Sequence, residues 1–144
     1  MKKALIGVGA CLALLSCSSD SVDAKLGKKT LKYQETLALT GGSLTFAEVQ
    51  DSRCPEGVQC VRAGEVVVTL QARSGAATNE SQNVRMCLGD CEVLFPEKGF
   101  REKDTANVSL NGANYRLILT EVNPYPNATK SVPKKDYSLT LEVE

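Results

Sequence analysis

Histidine is absent from this chain of 144 residues. Its absence removes the most frequent general base of enzymes, the Ser/His and Cys/His nucleophile pairs, and the imidazole ligands of most zinc and copper sites. Acid–base catalysis would have to use carboxylates alone, and the sequence does not place two carboxylates in one cleft at the required separation. We therefore predict that the protein is not an enzyme and holds no cofactor.

The chain also lacks an excess of positive charge, because 17 lysine and arginine residues balance 17 aspartate and glutamate residues. The basic residues are spread along the sequence and form no stripe that could follow a phosphate backbone. We therefore predict that the protein does not bind nucleic acid. A long apolar run is missing as well, since the run at residues 4–15 is shorter than the about 20 residues that a membrane-spanning helix needs.

The short apolar run belongs to a pattern that indicates a bacterial lipoprotein signal. It follows Lys2 and Lys3 and leads to Leu14-Leu15-Ser16-Cys17, where a leucine three residues before a cysteine and a small residue just before it match lipoprotein processing. We predict that residues 1–16 are removed and that Cys17 is acylated, so that its lipid attaches the protein to a membrane. An ordinary secretory signal, which would leave Cys17 as a free thiol, is the alternative.

The residues after the signal predict a location and a domain organisation. Ser18 follows the cysteine at the position where lipoproteins of the inner membrane typically carry aspartate, so we expect the outer membrane of the bacterial envelope, with the domain facing the periplasm. Residues 17–29 are small and polar without apolar periodicity, which predicts a flexible tether. Residues 30–144 have a suitable length for one domain with its own core.

Six cysteines occur in the chain, and Cys11 falls in the segment that would be removed. Besides Cys17, four then remain: Cys54, Cys60, Cys87 and Cys91. Export to an oxidising compartment favours disulfides, and four cysteines allow three pairings. We favour Cys54–Cys60 and Cys87–Cys91, since each pair is close in sequence and encloses turn-forming residues. A thiolate metal site is the alternative, but the spacing of the first pair is wider than zinc sites prefer, so we expect no metal.

Patterns typical of β-strands dominate the residues after the tether. Apolar and polar residues alternate with a period of two, and turn-forming residues separate the runs. Strands are predicted at residues 31–39, from residue 44, and at 66–71, 84–88, 93–95, 107–110, 115–120 and 137–143. Turns are predicted at Thr40-Gly41-Gly42 and Asn111-Gly112, and a bulge or strand end before Asp51. We therefore predict an all-β fold, an antiparallel β-sandwich or barrel of about seven to eight short strands.

The first cysteine pair lies in a distinctive motif. It reads Asp51-Ser52-Arg53-Cys54-Pro55-Glu56-Gly57-Val58-Gln59-Cys60-Val61, followed by Ala63-Gly64. Together with the alternating strand Tyr115 to Leu119 and with Pro124-Tyr125-Pro126, it resembles a D-S-R-C-P-x-x-V-x-C-V-x-A-G signature of small bacterial lipoproteins and secreted proteins of uncharacterised function. The resemblance covers roughly residues 31–143 and implies a β fold and a Cys54–Cys60 bridge, but no activity. The chain departs from it at Arg62, where members often have tryptophan, and the second cysteine pair is not part of it.

Arg53 and Tyr125 are the candidate partner-binding residues. Arg53 lies next to the first bridge, where it could clamp a ligand carboxylate or instead pair with a nearby acid and hold the loop. Tyr125 stands between two prolines and either offers a rigid aromatic surface or folds over the rim of the domain. We predict a non-enzymatic binding or envelope-structural module that acts on a protein or another envelope component. The alternative is an inhibitor of a hydrolase that presents a disulfide-bridged loop.

Overall fold

The computed structural model describes residues 27–75, 80–97 and 99–144. The predicted signal peptide (1–16), the predicted lipidation site Cys17 and most of the predicted tether lie outside the described residues. The elements are β1 (Gly27–Lys32), β2 (Thr36–Leu39), β3 (Gly42–Asp51), β4 (Glu65–Ser74), β5 (Ser81–Gly89), β6 (Asp104–Leu110), β7 (Ala113–Asn123), a single 3₁₀ turn (Lys134–Asp136) and β8 (Ser138–Val143). No helix in this part of the chain has the length and apolar character that spanning a membrane requires.

The eight strands form two antiparallel sheets of four strands each. One sheet has the order β1-β8-β7-β6 and the other has the order β2-β3-β4-β5. Strands β2 to β5 follow one another as a simple meander, as do β6 to β8, whereas β1 pairs with the last strand so that Gly27 lies opposite Val143. The inner faces of the two sheets share one core. Of the two predicted architectures, the structure shows the sandwich.

The core follows directly from the alternation of the sequence. Successive side chains of a strand point to opposite faces, so every second residue of a half-buried strand enters the core. The most deeply buried side chains come from both sheets and include Leu44, Phe46, Leu70, Leu117 and Leu139, each at most 1% exposed. Burial of a side chain of this size stabilises a fold by about 1.5–3 kcal/mol, so these positions set the distance between the sheets.

The predicted strand at residues 31–39 is in fact two strands that belong to different sheets. β1 ends at Lys32, Gln34 has a positive φ of 66°, and β2 begins only at Thr36. The alternation continues across this break because Leu31 and Leu39 enter the same core from opposite sheets. Periodicity therefore identified the buried residues and missed the change of sheet.

The predicted strand at residues 93–95 is a turn. The backbone N–H of Phe95 donates to the carbonyl of Cys91 at 2.8 Å, a bond across four residues that extended backbone does not form. Leu94 and Phe95 are apolar because they pack against Val67 and the second disulfide, in a small cluster apart from the main core. Two apolar residues in this short loop therefore gave the sequence a pattern typical of a strand.

β1 begins earlier than predicted. Residues 27–29, predicted as the end of the tether, belong to β1 and pair with β8. Of the two alternatives predicted before Asp51, the structure confirms the bulge, which lies between Phe46 and Glu48, and β3 continues beyond it to Asp51. A further bulge at the end of β7, after Leu119, has no counterpart in the predicted pattern.

Different connections lie at the two ends of the sandwich. The hairpin turns at residues 40–41 and 111–112 lie at one end, which we call the turn end, together with Gly27 at the start of β1. Gly41 has a φ of 83°, and a Cβ there would overlap the carbonyl oxygen of Leu110, so the two turns pack closely. The opposite end, which we call the loop end, carries the connections 33–35, 52–64, 90–103 and 124–137.

Candidate functional site

Three long connections meet at the loop end. We call residues 52–64 the bridged loop, residues 90–103 the crossing loop, because they lead from one sheet to the other, and residues 124–137 the Pro-Tyr-Pro loop. Cys54 and Cys60 form a disulfide within the bridged loop, with a Cα–Cα distance of 5.9 Å. Cys87 and Cys91 join the end of β5 to the crossing loop, with a Cα–Cα distance of 5.8 Å. Both predicted disulfides are therefore confirmed.

Arg53 is buried at the base of the bridged loop. Its Nε donates to Oδ1 of Asp51 at 2.9 Å and its Nη2 donates to Oδ2 at 2.6 Å, and the two side chains are only 9% and 5% exposed. Nη1 and Nη2 also donate to the carbonyls of Val122 and Pro124, at 2.9 and 3.0 Å. These bonds fasten the bridged loop to the end of β7. Of the two roles predicted for Arg53, the structure shows the pairing with a nearby acid, which makes it a positioning residue.

Tyr137, just before β8, completes the surroundings of Asp51. Its hydroxyl donates to Oδ2 of the carboxylate at 3.0 Å. Burial, reinforced by the negative charge of Asp51, raises the pKa of Tyr137 to about 12. The phenol is therefore protonated at neutral pH and acts as a donor. Asp51 accepts hydrogen bonds from both Arg53 and Tyr137, so this carboxylate serves the fold of the loop end.

Tyr125 packs against Arg53 and remains at the surface. The guanidinium carbon lies 4.5 Å from the centroid of the ring, a cation–π contact, while the side chain is still 43% exposed. The backbone ties the same loop to the tip of the bridged loop. The N–H of Glu56 donates to the carbonyl of Pro126 at 2.9 Å, and the N–H of Ala128 donates to the carbonyl of Glu56 at 3.2 Å. Two environments were predicted for Tyr125, an exposed aromatic surface and a contact with the rim of the domain. The structure shows part of each, because the ring packs against Arg53 and is still partly exposed.

The crossing loop is tied to the bridged loop around Gly64. The N–H of Gly64 donates to Oδ2 of Asp90 at 2.9 Å, and the N–H of Asp90 donates to the carbonyl of Gly64 at 2.9 Å. Arg62 adds ion pairs to Asp90 and Glu92. Arg62 and Glu92 are 57% and 55% exposed, so this pair contributes little stability in water. The backbone bonds at Gly64 are the stronger link between the two loops.

Asp104 is a buried charged residue that the sequence analysis missed. It is 2% exposed at the start of β6, and it accepts hydrogen bonds from the N–H of Cys87 at 2.9 Å and from Nη2 of Arg101 at 2.6 Å. The Arg101 guanidinium in turn lies 4.0 Å from the ring centroid of Phe95. In the sequence, the one sign that Asp104 is buried is its spacing of four residues from Val108, which places both side chains on the same face of a strand. A polar residue at the start of a strand is easily assigned to a loop instead.

Every exposed large hydrophobic side chain among the described residues lies at the loop end. The five come from all three loops, and they are Val58, Val61, Val93, Phe100 and Tyr125. Val61, directly after the first disulfide, is fully exposed. Single apolar residues at a surface are ordinary, whereas several on adjoining loops that are tied together are typical of a protein-binding surface.

No family model, no curated protein and no solved structure matches this chain. The resemblance to small bacterial lipoproteins and secreted proteins therefore stays a prediction. The function of the loop end has to be inferred from its own residues.

One group of residues among those described has the composition of a metal site. Glu65, Cys87 and Cys91 each place one ligand atom within 4.8 Å of the others. The two sulfurs are bonded to each other, however, and metals bind the thiolate form of cysteine. With this disulfide intact, the group does not fit a metal ion.

Proposed function

We propose that the protein is a non-enzymatic lipoprotein of the bacterial envelope that binds a partner protein through its loop end. What supports this proposal is the confinement of the exposed large hydrophobic side chains of the described residues to three adjoining loops. A surface of this kind gains free energy when a partner removes it from water, at roughly 25 cal/mol per Å² of apolar area.

The fastening of the loops favours binding over a purely space-filling role. The bridged loop is closed by a disulfide, held at its base by Arg53, and bonded to the crossing loop at Gly64. Its tip is bonded to the Pro-Tyr-Pro loop through Glu56. A surface that is ordered before binding loses less conformational entropy when the complex forms.

The topology supports a partner located away from the membrane that carries the lipid. β1 begins at the turn end, so a lipid on Cys17 would attach the domain by the end opposite the exposed loops. β3 has ten residues, which is about 33 Å of extended chain. The tether predicted from the sequence would add to this distance, so the loop end would lie more than about 33 Å from the bilayer.

Site-specific photo-crosslinking tests partner binding. A photoreactive amino acid replaces Val61 in the full-length protein expressed in its bacterial host, and the matched control carries it at Asn114, which is exposed beside the hairpin turn at the turn end. We expect one crosslinked partner from position 61 and none from position 114, and Val58→Ser in the position-61 protein should lower the yield. The same adduct from both positions, or none from position 61, would contradict the proposal.

Mass spectrometry of the mature protein under non-reducing conditions tests the lipid anchor. We expect a chain that begins at Cys17, carries acyl groups there and shows no free thiol among the four remaining cysteines. Cys17→Ser should abolish the acylation while leaving the two disulfides intact. A purified chain that still begins at Met1 without acyl groups would contradict the envelope assignment.

One observation favours a second candidate function, inhibition of a hydrolase. Val61 projects fully into solvent from a loop that is closed by a disulfide on one side and bonded to Ala63 on the other, since the N–H of Cys54 donates to the Ala63 carbonyl at 2.7 Å. A projecting loop of this kind can enter an active-site cleft with little loss of entropy. The full-length protein should then slow an envelope protease or a lysozyme, and Val61→Asp should remove the effect. No inhibition across a panel of such enzymes would exclude this candidate.

A further inference from the structure

A cleft of about 370 Å³ opens at the loop end beside the exposed side chains. Its walls are the last residues of β7, the crossing loop around Arg101, and Gly64 of the bridged loop, with Arg53 and Tyr125 at one side. The cleft therefore lies where all three loops meet, and any partner that covers the loop end also covers its mouth.

Two arginines and two glutamates line the cleft, and of these four only the arginines have ion-pair partners in the described part of the chain. Arg53 is paired with Asp51 and Arg101 is paired with Asp104, so neither guanidinium leaves a net positive charge in the cleft. Glu102 and Glu121 also line it, are exposed, and form no ion pair within the described part of the chain. When the aspartate partners of the two arginines are counted with them, the two glutamates leave the cleft region with an excess of two negative charges.

Aromatic rings accompany these carboxylates. Phe100 is 62% exposed and Tyr125 is 43% exposed, and both line the cleft, with one face of the Tyr125 ring already covered by the Arg53 guanidinium. The negative face of an aromatic ring attracts ammonium and guanidinium groups, and the stems of lysine and arginine pack well on apolar surface. Carboxylates together with aromatic rings suit a long cationic side chain better than an anion or a purely apolar group.

The end of β7 offers backbone groups in the same place. β6 pairs with β7 only as far as Leu119, opposite Asp104, while β8 accompanies β7 to Asn123. Residues 120–123, which line the cleft, therefore have a neighbouring strand on one side only, and of their backbone groups the Val122 carbonyl is already bonded to Nη1 of Arg53. An extended segment of a partner can lie along this stretch and direct a side chain into the cleft.

We propose that the cleft binds a lysine or arginine side chain from an extended segment of the partner protein. This inference rests on the proposed partner binding and adds the chemistry that the partner must present at the centre of the interface. The unpaired charges of Glu102 and Glu121 provide the attraction, and the rings of Phe100 and Tyr125 hold the aliphatic stem.

Titration with short capped peptides tests the inference on the full-length, ¹⁵N-labelled protein in detergent. The probe is acetyl-Gly-Lys-Gly-amide, and its matched control is the same peptide with norleucine, which has a similar stem and no charge. We expect the lysine peptide to shift the amide resonances of residues 100–102 and 120–123, and the norleucine peptide to leave them nearly unchanged. Added salt should weaken the binding, since it screens exposed charges.

Variants that remove negative charge distinguish binding in the cleft from non-specific attraction to acidic residues elsewhere on the surface. Glu102→Gln with Glu121→Gln should weaken binding of the lysine peptide by roughly fivefold, as expected when two exposed ion pairs are lost. Glu80→Gln with Glu97→Gln removes the same charge outside the cleft lining and should leave the affinity unchanged. Equal shifts from the norleucine peptide, shifts elsewhere in the protein, or equal losses in the two double variants would overturn the inference.

The two proposals can fail separately. If crosslinking at position 61 persists at the same yield in the Glu102→Gln, Glu121→Gln protein, partner binding stands and the cleft inference is wrong. If no partner is crosslinked while the lysine peptide still shifts the cleft amides, the cleft chemistry stands and the proposed partner surface is wrong.

Discussion

The two disulfide-bridged regions of the loop end differ in what surrounds their sulfurs. The Cys54–Cys60 bridge closes a projecting loop, and Val58 and Val61 beside it are exposed. The sulfurs of Cys87 and Cys91 are wholly buried and pack with Val67 on the outer face of the sheet β2-β3-β4-β5. The first bridge shapes an exposed loop, and the second bridge is part of a packed apolar cluster. The same type of covalent bond therefore supports an exposed surface in one place and side-chain packing in another.

Removal of each bridge in turn should give the largest difference in the free energy of unfolding between the two regions. The chain-entropy model assigns about 2 kcal/mol to either short loop, with slightly more for the longer one. Cys87→Ala with Cys91→Ala also leaves space in a packed cluster, so we expect a loss of about 4 kcal/mol in the free energy of unfolding. Cys54→Ala with Cys60→Ala should cost about 2 kcal/mol. Urea unfolding of both variants checks the order, and a larger loss for the first bridge would show that packing around the second adds nothing.

The ion pairs near the two bridges should show the same contrast. Arg53→Ala strands the buried Asp51 carboxylate and two backbone carbonyls, so we expect the free energy of unfolding to fall by about 3 kcal/mol. Arg62→Ala, which removes an exposed pair between the bridged and crossing loops, should change it by less than about 0.5 kcal/mol. Thermal and urea unfolding measure both, and similar losses for the two variants would mean that Arg53 is not a structural support.

Alkaline pH should weaken the base of the bridged loop through Tyr137. The pKa of this phenol is raised to about 12 in the folded protein, above its usual value near 10 in an unfolded chain. The folded state therefore keeps a proton that the unfolded state releases, and the free energy of unfolding should fall by up to about 2 kcal/mol between pH 10 and pH 12.

Tyr137→Phe serves as the reference for this pH dependence. It should be less stable at neutral pH by about 1 kcal/mol, since Asp51 loses one donor. It should also lose less stability than the parent as the pH rises above 10. Parallel stability curves for the two proteins between pH 9 and pH 12 would contradict the raised pKa.

Reduction should separate the two bridges by rate. A reductant reaches the Cys54–Cys60 bridge more directly, since Cys60 is exposed and Cys54 only partly buried, whereas the Cys87–Cys91 sulfurs require local opening of the crossing loop. We expect the first bridge to react at least about tenfold faster with a dithiol under native conditions. Timed alkylation of the new thiols followed by peptide mass spectrometry gives both rates. Equal rates would indicate that the crossing loop opens freely.

The sequence allowed much of the fold to be predicted, because local patterns record burial. The alternation around Val66, Leu117 and Leu139 reflects which side chains face the core, and short spacing with turn residues was sufficient to select both disulfides. Local patterns do not record which sheet a strand joins. The break at Gln34 was missed for this reason, since Leu31 and Leu39 face one core from two sheets.

The candidate site was predicted less completely. Arg53 and Tyr125 were selected from the motif, and the structure brings them into contact. Glu102 and Glu121 were not selected, because each is an ordinary exposed acid until loops distant in sequence form the cleft around it. The pairing of Arg101 with a buried Asp104 was missed as well, and together with the Arg53–Asp51 pair it leaves the charges of Glu102 and Glu121 without compensation in the cleft.

β1 is an edge strand of the sheet β1-β8-β7-β6, and three of its six residues are lysines: Lys28, Lys29 and Lys32. An edge strand offers unpaired backbone groups to any other strand, and lysines on such an edge discourage sheet-to-sheet association. Under the proposed lipid anchoring, this would matter most for copies held side by side on one bilayer, where their local concentration would be high. Mutual repulsion of these edges would then favour a layer of separate molecules, each with its loop end free for the proposed partner.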